Sequence, residues 1–285
     1  MSSPLRAGVA GLGIIGQRVA ANLRAKGFPV AVWNRTPQPA EPGWVGTTAD
    51  LARESDVIQI FVTNGDALKS VLKVMKPELK PGKVVVNCAT IAVEDTHSMA
   101  KLVEKTGAEF LDCPFTGSRD AATAGQLVYY VGGDADLLER VRPVLEATSK
   151  EIFPCGKIGD ATVLKIATNM VTSATVGILS EAMGIVAGQG VDLDKFRQAL
   201  ERNASSSGLT RMKVASMIAG DFTPHFSLKN MLKDAAFGLN MGGIAGIELP
   251  ILHAVAERMS DLTLAGRGEE DFSVLAANYL PQPKP

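Results

Sequence analysis

Residues 7–16 read Ala-Gly-Val-Ala-Gly-Leu-Gly-Ile-Ile-Gly, and this stretch decides the fold. The apolar run 7–10 predicts a short strand, and helical spacing of apolar residues begins after residue 16. Between them the glycines have the spacing GxGxxG, which permits a tight turn and lets a phosphate approach the start of a helix closely. The pattern predicts a dinucleotide-binding turn, and the alternative is an ordinary glycine-rich turn. The predicted cofactor residues are Gly11, Leu12, Gly13, Ile14, Ile15 and Gly16.

Further strand-like runs alternate with helical patterns over the first half of the chain, which indicates a mainly parallel, doubly wound α/β sheet covered by helices. A chain of 285 residues favours two domains. We predict a Rossmann domain over residues 1–158 and an all-helical domain over residues 159–285, joined by a long helix over about residues 160–188. The predicted strands are Ala7–Ala10, Val30–Trp33, Val57–Val62, Val84–Asn87, Glu109–Asp112 and Leu127–Val131.

Charge and cysteine usage exclude several classes of partner. The formal net charge is −1, from 29 basic and 30 acidic residues, so no overall field attracts nucleic acid or an anionic membrane. The cysteines, Cys88, Cys113 and Cys155, are odd in number and lack metal-ligand spacing, which indicates free thiols in a reducing compartment and no metal site. No apolar signal region precedes the first strand, so a cytoplasmic location is expected.

The residues after the second predicted strand bear on the choice of cofactor. An NAD-preferring site usually places an acidic residue there, but this chain has Asn34, Arg35 and Thr36. Arg35 can pair with a 2′-phosphate and stack on adenine, while its neighbours can donate hydrogen bonds to the same phosphate. The sequence therefore favours NADP, the alternative being a solvated arginine in a loop.

Lys165 is the only charged residue of the stretch 161–180, which has helical spacing and predicts a buried helix. Burial favours the neutral form of a lysine and brings its proton transfer closer to working pH, so Lys165 is a candidate proton donor. Asn169 and Thr162 fall on the same helical face and predict a polar stripe that holds a substrate. The alternative is a lysine that snorkels to solvent or pairs between domains.

Several motifs occur together in an order that resembles the β-hydroxyacid dehydrogenase family, in particular its glyoxylate and succinic semialdehyde reductase branch. The resemblance runs from residue 6 to about residue 275. Its elements are residues 11–16, Val32-Trp33-Asn34-Arg35-Thr36, Asp112-Cys113-Pro114-Phe115-Thr116-Gly117-Ser118, Lys165 with Asn169, and Phe226-Ser227-Leu228-Lys229 through Lys233-Asp234.

The resemblance implies an NADPH-dependent reductase that converts a small aldehyde or keto acid into a hydroxyacid. It makes Lys165 the general acid, places the active site between the domains, and implies a homodimer or homotetramer. Substrate-binding residues implied by it are Thr116, Gly117, Ser118, Asn169 and Phe226. Beside the glycine turn and residues 34–36, the implied cofactor residues are Val62, Thr63, Thr90, Lys233 and Asp234.

Some positions depart from the family pattern. Thr116 stands where serine is usual, Ser118 where a second glycine is usual, and Phe115 where valine is usual. Ser118 favours the glyoxylate and succinic semialdehyde branch, and Phe115 narrows the pocket against branched substrates. A 3-hydroxyisobutyrate-type dehydrogenase, an imine reductase and a catalytically silent NADP-binding scaffold are the alternatives.

Overall fold

A computed structural model describes residues 5–280 of the protein. The chain folds into two compact units, Met1–Lys165 and Ile166–Pro285. The boundary predicted at residue 158 precedes this division by a few residues. Each unit has its own apolar core.

The first unit is built on an eight-stranded sheet with the order β2-β1-β3-β4-β5-β7-β6, and β8 pairs with β7. The strands β1 to β5 are mutually parallel, whereas β7 runs antiparallel to β5 and β6. The strand β2 lies on one side of β1 and β3 lies on the other, so the strand order reverses its direction at β1. Ligands of such sheets bind at the carboxyl ends of the strands beside this reversal. The strands are β1 (Ala7–Ala10), β2 (Val30–Trp33), β3 (Val57–Ile60), β4 (Val84–Asn87), β5 (Glu109–Asp112), β6 (Phe115–Thr116), β7 (Leu127–Gly132) and β8 (Ser149–Gly156).

Helices cover both faces of this sheet. Alternate strand residues point to opposite faces, and accordingly Val84 and Val86 belong to one apolar cluster while Val85 belongs to the other. The strands β1, β3 and β4 are buried along their whole length, which explains their mostly apolar sequences. The helices are α1 (Gly16–Ala25), α2 (Thr48–Glu54), α3 (Gly65–Met75), α4 (Val93–Glu104), α5 (Arg119–Thr123) and α6 (Ala135–Glu146).

The second unit is helical throughout the residues described. The helix α7 (Asp160–Gly188) begins in the first unit and continues into the second. Its residues Val176 and Met183 pack with Val214, Met231 and Leu252 in one core cluster. The other helices are α8 (Leu193–Glu201), α9 (Gly208–Ala219), α10 (Leu228–Ala245) and α11 (Pro250–Leu262), followed by a 3₁₀ helix over Phe272–Asn278.

The predicted α/β fold class and helical C-terminal half are confirmed, and the strands differ from prediction in three ways. The strand β7 ends at Gly132 rather than Val131. The third strand ends at Ile60 rather than Val62. The strands β6 and β8 were not predicted: β6 spans two residues, and β8 mixes polar and apolar residues without alternation, none of them buried. Both strands form by pairing with β7, and the local sequence pattern does not indicate that pairing.

The predicted burial of α7 holds for only part of its surface. Among its residues, Val171, Ile178 and Ile185 are 68%, 60% and 69% exposed. The face that is buried contains polar residues, including Thr162, Ser173 and Ser180. By length and composition α7 is apolar enough to cross a membrane, a property that core helices of other folds share.

We expect Leu23→Ala to lower the free energy of unfolding of the first unit by about 2–5 kcal/mol, because Leu23 is fully buried in the cluster beneath α1. Both tryptophans, Trp33 and Trp44, belong to the first unit, so tryptophan fluorescence during urea unfolding reports on that unit. Val74→Ala, at a residue 49% exposed on α3, is the matched control. Equal midpoints for the two variants would contradict this packing.

Candidate active site

The glycine turn between β1 and α1 depends on its glycines for different reasons. Gly11 has a φ of 95°, and a Cβ atom there would lie 2.0 Å from the carbonyl oxygen of Phe61. A Cβ atom on Gly16 would lie 1.9 Å from the carbonyl oxygen of Gly11. At Gly13 a Cβ atom would meet nothing within 4 Å. Gly11 and Gly16 are therefore required by the fold, while Gly13 leaves open space in front of the helix.

The start of α1 fits an anionic group. Its N-cap residue, Ile15, provides no side-chain hydrogen bond, and the first turn of the helix contains no acidic residue. By contrast, Thr47 caps α2 and Asn64 caps α3 through their side chains. Free N–H groups at a helix start, together with the helix dipole, favour a phosphate. The residues present therefore fit the pyrophosphate of a dinucleotide.

The residues after β2 support the same turn. The side chain of Asn34 accepts a hydrogen bond from the backbone N–H of Leu12 at 3.0 Å and donates one to the carbonyl of Thr36 at 3.0 Å. Asn34 thus ties the loop after β2 to the glycine turn, a role that the sequence did not suggest. Arg35 and Thr36 are exposed at the edge where β1 and β2 end.

The other predicted cofactor residues of this unit follow neighbouring strands. Val62 and Thr63 lie between β3 and α3, and Thr90 lies after β4. Because β1 to β4 are parallel, these loops and the glycine turn lie at the same edge of the sheet. The structure therefore brings the predicted cofactor residues of the first unit to one edge.

The predicted substrate loop lies between β6 and α5. Thr116 ends β6, and Gly117 has a φ of 139° in a space closed by Leu127 and Ala121. The hydroxyl of Ser118 accepts a hydrogen bond from the backbone N–H of Ala121 at 3.3 Å. Ser118 is therefore the N-cap of α5, so its hydroxyl is already used within the loop.

Asp112, the last residue of β5, anchors the start of α7. Its carboxylate is buried and accepts hydrogen bonds from the backbone N–H groups of Gly159 at 3.2 Å and Thr162 at 2.9 Å. The hydroxyl of Thr162 donates to the same carboxylate at 2.8 Å. Burial raises the pKa of Asp112, while these hydrogen bonds from Thr162 and Gly159 act against that rise. The carboxylate caps the first turn of α7 from the end of a strand.

Lys165 follows Thr162 by about one turn of α7, within the first unit, and is only 9% exposed. The prediction that Thr162 helps to hold a substrate is wrong, because its fully buried hydroxyl is bonded to Asp112 and lies 3.1 Å from the hydroxyl of Thr96. Thr162 instead connects Asp112 and α4 to the helix that carries the lysine. Lys165 is thus placed by a buried hydrogen-bond network.

In the second unit the predicted residues of α7 and α10 form a connected group. The side-chain amide of Asn169 donates to the carboxylate of Asp234 at 2.6 Å, and the ammonium group of Lys233 lies 2.8 Å from the other oxygen. Asp234 is 1% exposed. Its carboxylate therefore orients the amide of Asn169. Phe226, which precedes α10, is half-buried against Phe272.

Two carboxylates have roles that the sequence reasoning missed. Asp112 ends β5 directly after the buried pair Phe110-Leu111, and a carboxylate at such a position is a signal that could have been used. Asp271 lies between Glu270 and Phe272 without any comparable signal, although it is 1% exposed. Among residues 5–280, no group of three or more His, Cys, Asp or Glu side chains could hold a metal ion.

Both units match models of known protein families. Residues 6–156 match the NAD binding domain of 6-phosphogluconate dehydrogenase. Residues 159–279 match the NAD-binding domain of NADP-dependent 3-hydroxyisobutyrate dehydrogenase.

Curated relatives are similar over nearly the whole chain. Glyoxylate/succinic semialdehyde reductase 1 of Arabidopsis thaliana is 26% identical over 95% of this chain and 97% of its own length. The 2-hydroxy-3-oxopropionate reductase of Escherichia coli (strain K12) is 29% identical, with 95% and 96% covered. The cytokine-like nuclear factor N-PAC of Mus musculus is 25% identical over 96% of this chain but only 50% of its own length.

Solved structures share the fold. The 3-hydroxyisobutyrate dehydrogenase of Mycobacterium tuberculosis with L-serine superposes with a TM-score of 0.89, at 24% identity over 97% of this chain and 99% of its own. A protein called Psf3, in complex with NADP⁺ and 2-OPP, gives 0.86 at 22% identity, with 95% and 99% covered. An imine reductase from Pseudomonas sp. gives 0.66 at 21% identity, with 96% and 98% covered.

We expect Gly13→Ala and Gly11→Ala to fail in different ways. Gly13→Ala leaves the melting temperature unchanged, because its methyl group meets no protein atom, but it weakens NADPH binding about tenfold by occupying the approach to the helix start. Gly11→Ala lowers stability by about 1–3 kcal/mol or more, since the backbone is left-handed and the carbonyl of Phe61 is in the way. NADPH fluorescence titration and thermal unfolding measure both effects. Unchanged NADPH affinity in Gly13→Ala would contradict this account of the turn.

Proposed function

The chain belongs to the β-hydroxyacid dehydrogenase family of NAD(P)-dependent oxidoreductases, and we propose that it uses NADPH to reduce a small aldehyde or keto acid to the hydroxyacid. One observation carries the proposal: Lys165 is buried on the turn of α7 that Asp112 anchors to the strand end, in the unit that also contains the glycine turn. A buried lysine so placed is suited to proton transfer.

The reaction assigns separate tasks to the protein and to the cofactor. Bound NADPH supplies the hydride that the carbonyl carbon receives. Lys165 donates a proton to the carbonyl oxygen as negative charge develops there, which completes the hydroxyl group. Asp112 and Thr162 hold the first turn of the lysine's helix in place, which fixes the point from which the side chain of Lys165 extends.

The substrate is proposed to be a short carboxylate with an aldehyde or ketone, such as glyoxylate or succinic semialdehyde. Backbone N–H groups at Thr116 and Gly117 are proposed to bind the carboxylate, in a loop that requires glycine at position 117, where φ is 139° and a Cβ atom would lie 2.9 Å from the side chain of Leu127. Asn169 is proposed as a further donor, with its amide oriented by Asp234. Phe115, packed between Phe61 and Tyr129, disfavours branched substrates.

NADPH oxidation with glyoxylate, succinic semialdehyde and other short aldehyde or keto acids tests the proposal, with Lys165→Ala beside the parent. We expect turnover in the parent and a loss of about 10²- to 10⁴-fold in kcat in the variant, with NADPH affinity unchanged, because a proton donor is removed and no cofactor contact is lost. Lys195→Ala, at an exposed lysine of α8, is the control.

Other outcomes favour the alternatives. Turnover of cyclic imines alone would favour an imine reductase, and tight NADPH binding without any turnover would favour a binding scaffold. Equal loss of folding, NADPH binding and turnover in Lys165→Ala would contradict the role of the lysine. Activity with 3-hydroxyisobutyrate as the best substrate would move the assignment to that branch of the family.

We propose that NADP is preferred over NAD because of Arg35. The exposed guanidinium group beside the end of β2 is suited to a 2′-phosphate, and no carboxylate among residues 34–36 would repel that phosphate. Arg35→Ala is expected to weaken NADPH binding about 10- to 100-fold, because a charge-assisted contact is lost, and to leave NADH binding nearly unchanged. Isothermal titration with NADPH and NADH measures both affinities. Arg211→Ala, at an exposed arginine of α9, is the control. Equal weakening of both cofactors would contradict the assignment.

We also propose that the chain forms a homodimer or homotetramer through α7. Val171, Ile178 and Ile185 are exposed and recur every seven residues, so they form one apolar line along the helix. Burial of that line against a second copy would remove it from water. Ile178→Glu is expected to lower the mass seen by sedimentation velocity, whereas Val74→Glu on α3 leaves it unchanged. A monomeric parent at micromolar concentration would contradict the proposal.

A further inference from the structure

The second unit contains a buried ion pair outside the residues assigned so far. Lys213 on α9 and Asp271 before the 3₁₀ helix are 4% and 2% exposed at their side chains, and the ammonium nitrogen lies 2.6 Å from a carboxylate oxygen. Burial of two charges has a desolvation cost that the ion pair often does not recover as stability. We therefore expect this pair to act by fixing the positions of neighbouring residues rather than by adding stability.

Asp271 collects donors from separate segments of the chain. One carboxylate oxygen accepts hydrogen bonds from the backbone N–H groups of His225 at 3.0 Å and Phe226 at 3.1 Å. The other accepts from the backbone N–H of Ser273 at 3.0 Å and from its hydroxyl at 2.7 Å, besides Lys213. Burial alone would raise the pKa of Asp271, but Lys213 and Ser273 outweigh it and lower the pKa below its ordinary value.

These contacts hold Phe226 on three sides. Its N–H donates to Asp271, and its carbonyl accepts a hydrogen bond from the N–H of Phe272 at 3.1 Å. Its ring meets the ring of Phe272 edge-on, with centroids 6.4 Å apart and planes at 77°. Lys213 also lies 4.4 Å from the centre of the Phe272 ring. The ion pair is therefore bonded to the backbone of Phe226 and lies against the ring of Phe272, which in turn contacts the ring of Phe226.

The same segment starts α10. Ser227, its N-cap residue, makes no side-chain capping bond, and the N–H of Leu228 instead donates to the carbonyl of Glu270 at 2.8 Å. The start of α10 is thus attached to the segment that contains Asp271. Lys233 and Asp234 lie on the second turn of this helix.

We propose that Asp271, held by Lys213, is a positioning residue for the substrate: it places the ring of Phe226, which forms the wall for the apolar part of the carbonyl acid. The inference rests on the proposed function, because Phe226 is assigned to the substrate there. Asp271 itself is bonded within the second unit and reaches the substrate only through Phe226.

Asp271→Asn keeps the size of the side chain and removes its charge. We expect the KM for the carbonyl acid to rise about tenfold, while kcat and the KM for NADPH stay within about twofold, because buried hydrogen bonds to a charged group are weakened. Amide hydrogen exchange in residues 222–229 is expected to become faster. A merely structural role would lower the fraction of folded enzyme, and with it the apparent kcat, without a change in KM. Asp194→Asn, at an exposed pair on α8, is the matched control.

A double-mutant cycle with Phe226→Leu distinguishes an effect of Asp271 through Phe226 from a general effect on the structure. If Asp271 acts through Phe226, Asp271→Asn raises the KM in the parent but has little further effect in the Phe226→Leu background. An equal rise in both backgrounds, or unchanged KM and exchange in Asp271→Asn, would overturn the proposal. If Asp271→Asn does not fold, Lys213→Met replaces it, with the same expectations.

Amide hydrogen exchange tests the role of Asp271 without requiring turnover, so its result does not depend on the proposed function. If the parent enzyme turns over no carbonyl acid, the proposed function fails and the role of Asp271 is decided by exchange alone. Faster exchange of the His225 and Phe226 amides in Asp271→Asn, with no change elsewhere in the second unit, would support positioning. Equal exchange in parent and variant would overturn it.

Discussion

The hydrogen bonds between Asp112 and the first turn of α7 are the constraint on which the rest of the site depends. They join the end of β5 to the helix that carries Lys165, so the strand end and the first turn of that helix belong to one buried hydrogen-bond network. Without this carboxylate, the N–H groups of Gly159 and Thr162 would be buried without an acceptor, at a cost of about 1–3 kcal/mol each. The backbone near Lys165 is thus held by the same interactions that start the helix.

The glycine turn before α1 depends on open space at the helix start rather than on side-chain hydrogen bonds. The glycine turn leaves the start of α1 uncapped and uncovered, and Asn34 fixes the turn from the neighbouring strand. A phosphate there would meet backbone N–H groups and the positive end of the helix dipole. The first unit therefore combines an uncapped helix start that fits an anion with a buried lysine, Lys165, on a helix anchored to the sheet.

Much of this arrangement could be predicted from the sequence. The strands β1 and β2 are short apolar runs between turn residues, so their limits were predicted correctly. Lys165 was recognisable as the only charged residue of the stretch 161–180. Long-range pairing was not predictable. The strand β8 is defined by β7, and Asp271 receives donors from residues more than 40 positions away. The local sequence pattern indicates which residues are buried, but not which distant residues they pair with.

The central claim is that this protein reduces a carbonyl acid with a hydride from NADPH and a proton from Lys165. The most direct measurement is a single turnover with glyoxylate and NADPH deuterated at C4 of the nicotinamide, with the product analysed by mass spectrometry. Both hydrogens at C4 are replaced by deuterium, so that the label is transferred whichever face donates the hydride. The account predicts that the hydroxyacid carries one deuterium on the former carbonyl carbon, and that Lys165→Ala forms the same labelled product far more slowly. A hydroxyacid without deuterium, or equal rates in parent and variant, would contradict it.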